Sequence, residues 1–179
     1  LRTEVENLDL IPANINLAGA EIELTNARYR EKTLREKINL IEKEYDFILI
    51  DCPPSLGLLS LNALTAAHTV LIPIQCEYYS LEGVGQLIDT VKLVRKNLNP
   101  KLEIEGVILN MFDGRTNLSI QVVEEVKKYF KDKVYRTVIP RSVRLAEAPS
   151  FGKPIMLYDD KSKGSIAYIR VSEELIKNN

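Results

Sequence analysis

Asp51 stands at the end of four apolar residues, Phe47, Ile48, Leu49 and Ile50, and is followed by Cys52, Pro53 and Pro54. An apolar run without alternation fits a strand buried on both faces of a parallel sheet. The two prolines forbid that strand from continuing. Open α/β sheets place their ligand crevice at this carboxyl end. A carboxylate there is costly to desolvate and calls for a cation, a water network or a cluster of donors. A strand ending in Asp is one way to hold Mg²⁺ directly or through water. The plainer alternative is a satisfied carboxylate capping a loop.

Two further sets of residues could do chemistry. Asn110 closes the apolar segment Ile104 to Met111, and its side-chain amide can both donate to and accept from a base edge. Its plainer role is a loop-capping amide. Residues Lys127 to Lys153 carry eight basic side chains, Lys127, Lys128, Lys131, Lys133, Arg136, Arg141, Arg144 and Lys153, against Asp132 and Glu147 alone. That segment is strongly positive in a chain of net charge −1. It can neutralise phosphates and release counterions, or it is simply a solvated face. His68 is the single histidine, and with no partner at ligand or triad spacing it is assigned neither role. Cys52 and Cys76 both follow apolar runs and are expected as reduced, buried thiols.

The elements that must position these residues alternate. Leu8 to Pro12 reads as a short strand, and Leu17 to Glu44 as helical, with Leu34, Ile38, Ile41 and Tyr45 on one face. After the strand ending at Asp51 come a helix within Ser55 to Ala67 and a strand over Thr69 to Gln75. A helix then starts at Ser80 with Leu87, Val91 and Val94 inward. A strand over Ile104 to Met111, a helix over Leu118 to Phe130 and a strand over Val134 to Pro140 follow. A short helix from Arg141, an extended piece around Ile155 and Leu157, and a helix over Gly164 to Asn178 complete the chain. With 179 residues, 45% of them apolar and 27% charged, one soluble domain with its own core is expected. No run approaches the length of a membrane span. Strand and helix in alternation give an α/β fold: a doubly wound, mostly parallel sheet with helices on both faces.

Five stretches in order, LDLIPANINLAGAEIEL, YDFILIDCPPSLGLLSLNAL, VLIPIQCEYYSLEGVGQL, IEGVILNMFDGRTNLS and VIPRSVRLAEAPSFGKPI, resemble the ParA/Soj/MinD family of deviant Walker P-loop ATPases, most closely its ParA/Soj partitioning branch. The resemblance implies that Asp51 is a Walker B carboxylate meeting Mg²⁺ through water. Pro53, Pro54 and Ser55 would belong to the second switch. Asn110, Pro140 and Arg141 would join Asp51 and Pro53 in the nucleotide site, next to the base. Arg115, Arg144 and Lys153 would contact DNA. The segment Tyr78, Tyr79, Glu82 and Gly83 would contribute to a homodimer formed with ATP. A ParB-type centromere-binding partner, nonspecific DNA and a cytoplasmic, nucleoid-associated location complete the family picture, with no membrane.

One family feature is not found in these 179 residues: the Gly-rich loop whose amides and lysines cradle the phosphates. Gly83-Val84-Gly85 lacks the following Lys, and Gly152-Lys153 is followed by Pro154. The first-switch Asp is not found either. The expectation is therefore a single domain, residues 1–179, covering the C-terminal three-quarters of the family fold. As written it would not hydrolyse ATP, and Phe47 to Ile50 would expose an unpaired apolar edge. The alternatives are a non-catalytic regulatory module and a MinD-like membrane-associated division regulator. The latter is disfavoured by the ending IAYIRVSEELIKNN, where Glu173 and Glu174 replace a basic amphipathic face. An iron–sulfur relative would need Cys52 on a cluster loop rather than in the turn after the strand.

Overall fold

The structure is a computed structural model that describes every residue except Pro54, Tyr78 and Tyr79, and only the backbone of Leu81 and Glu82. The contacts divide the chain into two units, Leu1–His68 with Lys92–Leu102, and Thr69–Val91 with Glu103–Asn179.

The second unit holds the sheet. Strands β1 (Thr69–Gln75) and β2 (Glu103–Asn110) pair in parallel from Thr69 opposite Glu103 to Gln75 opposite Asn110. A register shift between Val70 and Leu71 accommodates Glu105 as an extra residue. Period-two alternation sends alternate side chains to opposite faces. Ile72, Ile74, Val107 and Leu109 meet Ile88 of helix α4 (Ser80–Asn97) and Val122, Val126 and Phe130 of α5 (Asn117–Phe130). Leu71 and Ile108 project into the other cluster, with Tyr135, Ile139 and Ala167 and Val171 of α8 (Lys163–Asn178). Helices thus cover both faces of a parallel pair, the doubly wound α/β arrangement. Ile74, Val107, Leu109 and Val126 are essentially sealed from water, each such side chain contributing about 1.5–3 kcal/mol.

Residues 134–140 run beside β2 without forming a continuous strand. Bridges join Val134 to Val107 and Pro140 to Phe112, and the Tyr135 and Ile139 amides donate to the Val107 and Leu109 carbonyls, each at 2.9 Å. Between those points the Arg136 and Thr137 amides leave the ladder and donate to the Glu174 carboxylate of α8, each at 2.9 Å. The expected strand over Val134 to Pro140 is therefore broken at its middle by a side-chain acceptor. Short helices α6 (Val143–Glu147) and α7 (Ile155–Tyr158) follow. The second corrects the extended piece expected around Ile155 and Leu157.

The first unit is helical. Among the described residues it contains α1 (Asn16–Glu23), α2 (Thr33–Ile38), α3 (Leu58–Ala66) and three 3-10 turns. The long helix expected over Leu17 to Glu44 is broken, with Tyr29 in the left-handed region at φ 56°. Two buried amides organise this unit. The Asn62 amide of α3 donates to the Arg30 and Leu58 carbonyls at 2.8 and 3.0 Å, and its oxygen accepts from the Leu34 amide at 3.1 Å. Asn99 donates to the Leu64 and Ala67 carbonyls at 3.1 and 2.7 Å, satisfying the end of α3.

Phe47 to Ile50 are not in a strand. A strand exists only through its ladder partner, and among the described residues none pairs here. Leu49 is 81% and Phe47 47% exposed. Leu8 to Pro12 likewise form no strand; an isolated antiparallel bridge joins Asp9 to Arg2.

Candidate functional site

The carboxyl ends of β1 and β2 gather several of the expected residues within the second unit. The Asn110 carbonyl accepts from the Cys76 amide at 2.9 Å, so the pairing carries one step beyond Gln75. The Asn110 side-chain oxygen accepts from the Met111 amide at 2.8 Å, and Met111 takes a left-handed φ of 53°. This local bond fixes the side chain and engages its acceptor. Pro140 lies alongside through its bridge to Phe112. The Arg141 amide donates to the Phe112 carbonyl at 3.0 Å, while its guanidinium is ion-paired with Glu77, just past β1. Asn110, Pro140 and Arg141 thus share one edge, where parallel sheets present ligands.

The start of α5 completes this edge. Thr116 caps the helix through its side-chain oxygen, which accepts from the Ser119 amide at 3.3 Å. The buried Ser119 hydroxyl donates to the Cys76 carbonyl at 3.2 Å, tying the helix to the end of β1. Cys76 is buried as expected, and burial pushes its thiol pKa up. Cys52 is exposed, which corrects the expectation of a buried thiol: the segment that would have enclosed it is unpaired.

Asp51 and Pro53 lie in the first unit, both exposed. The Asp51 carboxylate has no hydrogen bond or ion pair among the described residues, and no group of three or more metal-ligating side chains occurs among them. A single open carboxylate suits a cation that keeps most of its water, as Mg²⁺ does, rather than one held in a protein cage. Pro54, Tyr78 and Tyr79, expected in the second switch and the dimer contact, lie outside the described residues, as does the Glu82 side chain. Gly83 is exposed in α4.

Arg115, Arg144 and Lys153 are the basic residues expected to contact DNA. The Arg115 side chain is 88% exposed and grips Asp113 in a two-pronged contact, Nε to Oδ1 at 2.9 Å and Nη2 to Oδ2 at 2.7 Å. Those bonds, reinforced by the Arg115 amide and the charge of Arg141, hold the Asp113 pKa down at about 2. Arg144 pairs through Nη1 with Glu147 at 3.2 Å and through Nε with Asp159 at 3.4 Å. Lys153 is exposed and without an ion pair among the described residues. Sequence reasoning missed all four carboxylate partners. The Asp113-Gly114-Arg115 turn and the i,i+3 spacing of Arg144 and Glu147 offered local signals for two. Glu77 and Arg141, 64 residues apart, offered none.

A family model described as an AAA domain matches residues 1–104. Over 98% of the chain it is 62% identical to the sporulation initiation inhibitor protein Soj of Bacillus subtilis, covering 70% of that protein. It is 57% identical to the chromosome partitioning protein ParA of Myxococcus xanthus, again over 98% of the chain and covering 62% of that relative. A crystal structure of cobyrinic acid a,c-diamide synthase from Mycobacterium smegmatis, with bound ATP analogue and magnesium, superposes with a TM-score of 0.82 at 38% identity. That match covers 99% of this chain and 65% of the other. The chain thus spans roughly two thirds of the length of the proteins it matches, 62–70% for these two curated relatives.

Proposed function

The chain belongs to the Soj/ParA family of chromosome-partitioning proteins, and from that premise we propose that it is the larger part of a partitioning ATPase domain. The observation that carries this reading is the 62% identity to Soj over 98% of the chain. In the intact protein, Asp51 would be the residue that holds Mg²⁺. Asn110, Pro140 and Arg141 hold the base side of ATP, and Pro53 lies in the segment that senses the terminal phosphate. Bound Mg²⁺ would neutralise charge developing on the transferred phosphoryl group. The ATP analogue and magnesium bound in the structural relative support these two ligands.

ATP binding brings two copies together, and the dimer binds DNA without sequence preference through Arg115, Arg144 and Lys153. Guanidinium and ammonium groups in exposed positions suit phosphate contacts, which position a protein on DNA without reading its sequence. A ParB-type partner stimulates hydrolysis. Among the described residues no helix is long and apolar enough to cross a membrane. Relation to the partitioning proteins supports, as part of this proposal, a place at the nucleoid in the cytoplasm.

One comparison tests the reading. The intact protein, its Asp51→Ala variant and its Arg115→Ala/Arg144→Ala variant are assayed for Mg²⁺-dependent ATP hydrolysis with DNA and the ParB-type partner, and for retention on random-sequence DNA. Asp51→Ala should lose hydrolysis, and the double variant should lose salt-sensitive retention. Hydrolysis undiminished in Asp51→Ala, or retention unchanged at every salt concentration in the double variant, would refute the corresponding assignment.

A further inference from the structure

We propose that Asp113, Glu147 and Asp159 compete with nucleic-acid phosphate for Arg115 and Arg144, and thereby set how weakly the protein holds DNA. The proposal rests on the reading of those two arginines as phosphate contacts. What it adds is the role of three carboxylates to which neither sequence nor resemblance assigns any part.

The geometry is that of substitution. Asp113 takes Nε and Nη2 of Arg115 at 2.9 and 2.7 Å, the pair of donors an arginine offers to a phosphate in a bidentate contact. Arg144 is occupied at Nη1 by Glu147 and at Nε by Asp159. Both arginines therefore have Nε committed to an internal carboxylate. Glu147 is itself held: its Oε2 also accepts from the Tyr158 hydroxyl at 3.1 Å, and the Tyr158 ring stacks on Phe151 with centroids 5.0 Å apart. Its neighbours fix it against Arg144 even while Arg144 is exposed.

This pairing is not a general property of the basic surface. Arg136, Lys163 and Arg170 line one open groove, and none of them has an ion pair among the described residues. Lys153 has none either. Arg141 meets Glu77 and Lys128 meets Glu125 through one donor each, whereas Arg115 and Arg144 each have two donors committed to carboxylates. Exposed ion pairs are weak and exchange readily, so phosphate can displace them, but each displacement sets free a carboxylate beside the DNA. The charge an arginine contributes on binding is reduced accordingly, and with it both affinity and salt dependence. A carboxylate that merely positioned its arginine would leave the fork open toward solvent; here Asp113 fills it.

The test measures retention of the nucleotide-loaded intact protein on random-sequence duplex across a salt series. Asp113→Asn, and Glu147→Gln combined with Asp159→Asn, are compared with Glu124→Gln, which removes one charge from an exposed position of α5. Freeing an arginine should tighten binding several-fold and steepen the dependence of log K on log salt by about one, the slope expected per phosphate neutralised. The gain from Asp113→Asn should vanish when Arg115 is also replaced by Ala. A gain no larger than that of Glu124→Gln, or a loss of affinity, overturns the proposal. Unchanged retention in Arg115→Ala/Arg144→Ala would instead remove the DNA reading beneath it, and the proposal with it.

Discussion

Glu174 holds Thr137 twice, accepting from its backbone amide at 2.9 Å and from its hydroxyl, while the other carboxylate oxygen takes the Arg136 amide at 2.9 Å. One side chain of α8 thereby satisfies the two amides that leave the ladder beside β2. Without it the half-buried Thr137 amide loses its acceptor, a defect of about 1–3 kcal/mol.

Replacing Glu174 by Ala should lower the unfolding free energy by about 2 kcal/mol, read from urea denaturation. Glu174→Gln should also destabilise, because the two amides use different oxygens and a Gln offers one oxygen and one NH₂. If Glu174→Gln were as stable as the parent, the carboxylate would be no more than a surface charge.

Gly106 is placed opposite Leu71 just after the extra residue Glu105. A Cβ there would lie 2.5 Å from the Tyr135 ring and 2.8 Å from the Lys133 carbonyl oxygen. Tyr135 is buried and the carbonyl belongs to the backbone, so neither can move away freely. Gly106→Ala should cost about 1–3 kcal/mol, whereas Gly85→Ala, where a Cβ meets nothing within 4 Å, should not destabilise. Equal effects of the two in thermal melts would mean that the close approach of residues 133–135 to β2 is not what the glycine serves.

The contrast between what sequence revealed and what it hid follows from where the stabilising partners lie. The elements read over Thr69 to Gln75, Ile104 to Met111, Leu118 to Phe130 and Gly164 to Asn178 agree with β1, β2, α5 and α8 to within about one residue at each end. Each carries a complete apolar face that finds its partner in the second unit. Phe47 to Ile50 have equally strong strand character, yet strand structure is a property of pairs, and no partner stands beside them among the described residues. The break at Arg136 and Thr137 depends on Glu174, and the pairing of Arg141 depends on Glu77; both partners are remote in sequence. The Arg115–Asp113 contact is local and readable, whereas the number of charges in the basic segment does not say what each charge faces.

Asn62 is a second site where a remote partner decides stability. Its amide links α3 to Arg30 and Leu34, at sequence separations of 32 and 28 residues, within the first unit. Asn62→Leu preserves bulk but removes three hydrogen bonds, leaving the Leu34 amide and Arg30 carbonyl without their acceptor and donor. A loss of about 2–3 kcal/mol is expected. Hydrogen exchange should show faster exchange at Leu34, with β1 and β2 amides unaffected. Uniform acceleration across both units would contradict a local role.

The Asp113 carboxyl offers a pH-dependent readout of the contact that occupies Arg115. Its pKa lies at about 2 in the folded protein, against an ordinary 3.8, chiefly because of the hydrogen bonds from the Arg115 side chain and amide. A carboxyl whose folded pKa is depressed contributes stability that is fully present above the unfolded value. That contribution is lost as pH falls through the folded one. The Arg115–Asp113 contact should therefore persist at pH 4 and give way only as pH falls through about 2, while its contribution to stability fades between about pH 3.8 and 2. Carboxyl-carbon NMR should place the Asp113 midpoint near the lower limit, and Arg115→Ala should move it upward toward the ordinary value. A midpoint near 3.8 in the parent would mean that Arg115 is free in solution. Its fork would then be open to phosphate without displacing a carboxylate, and Asp113→Asn could not act by releasing it.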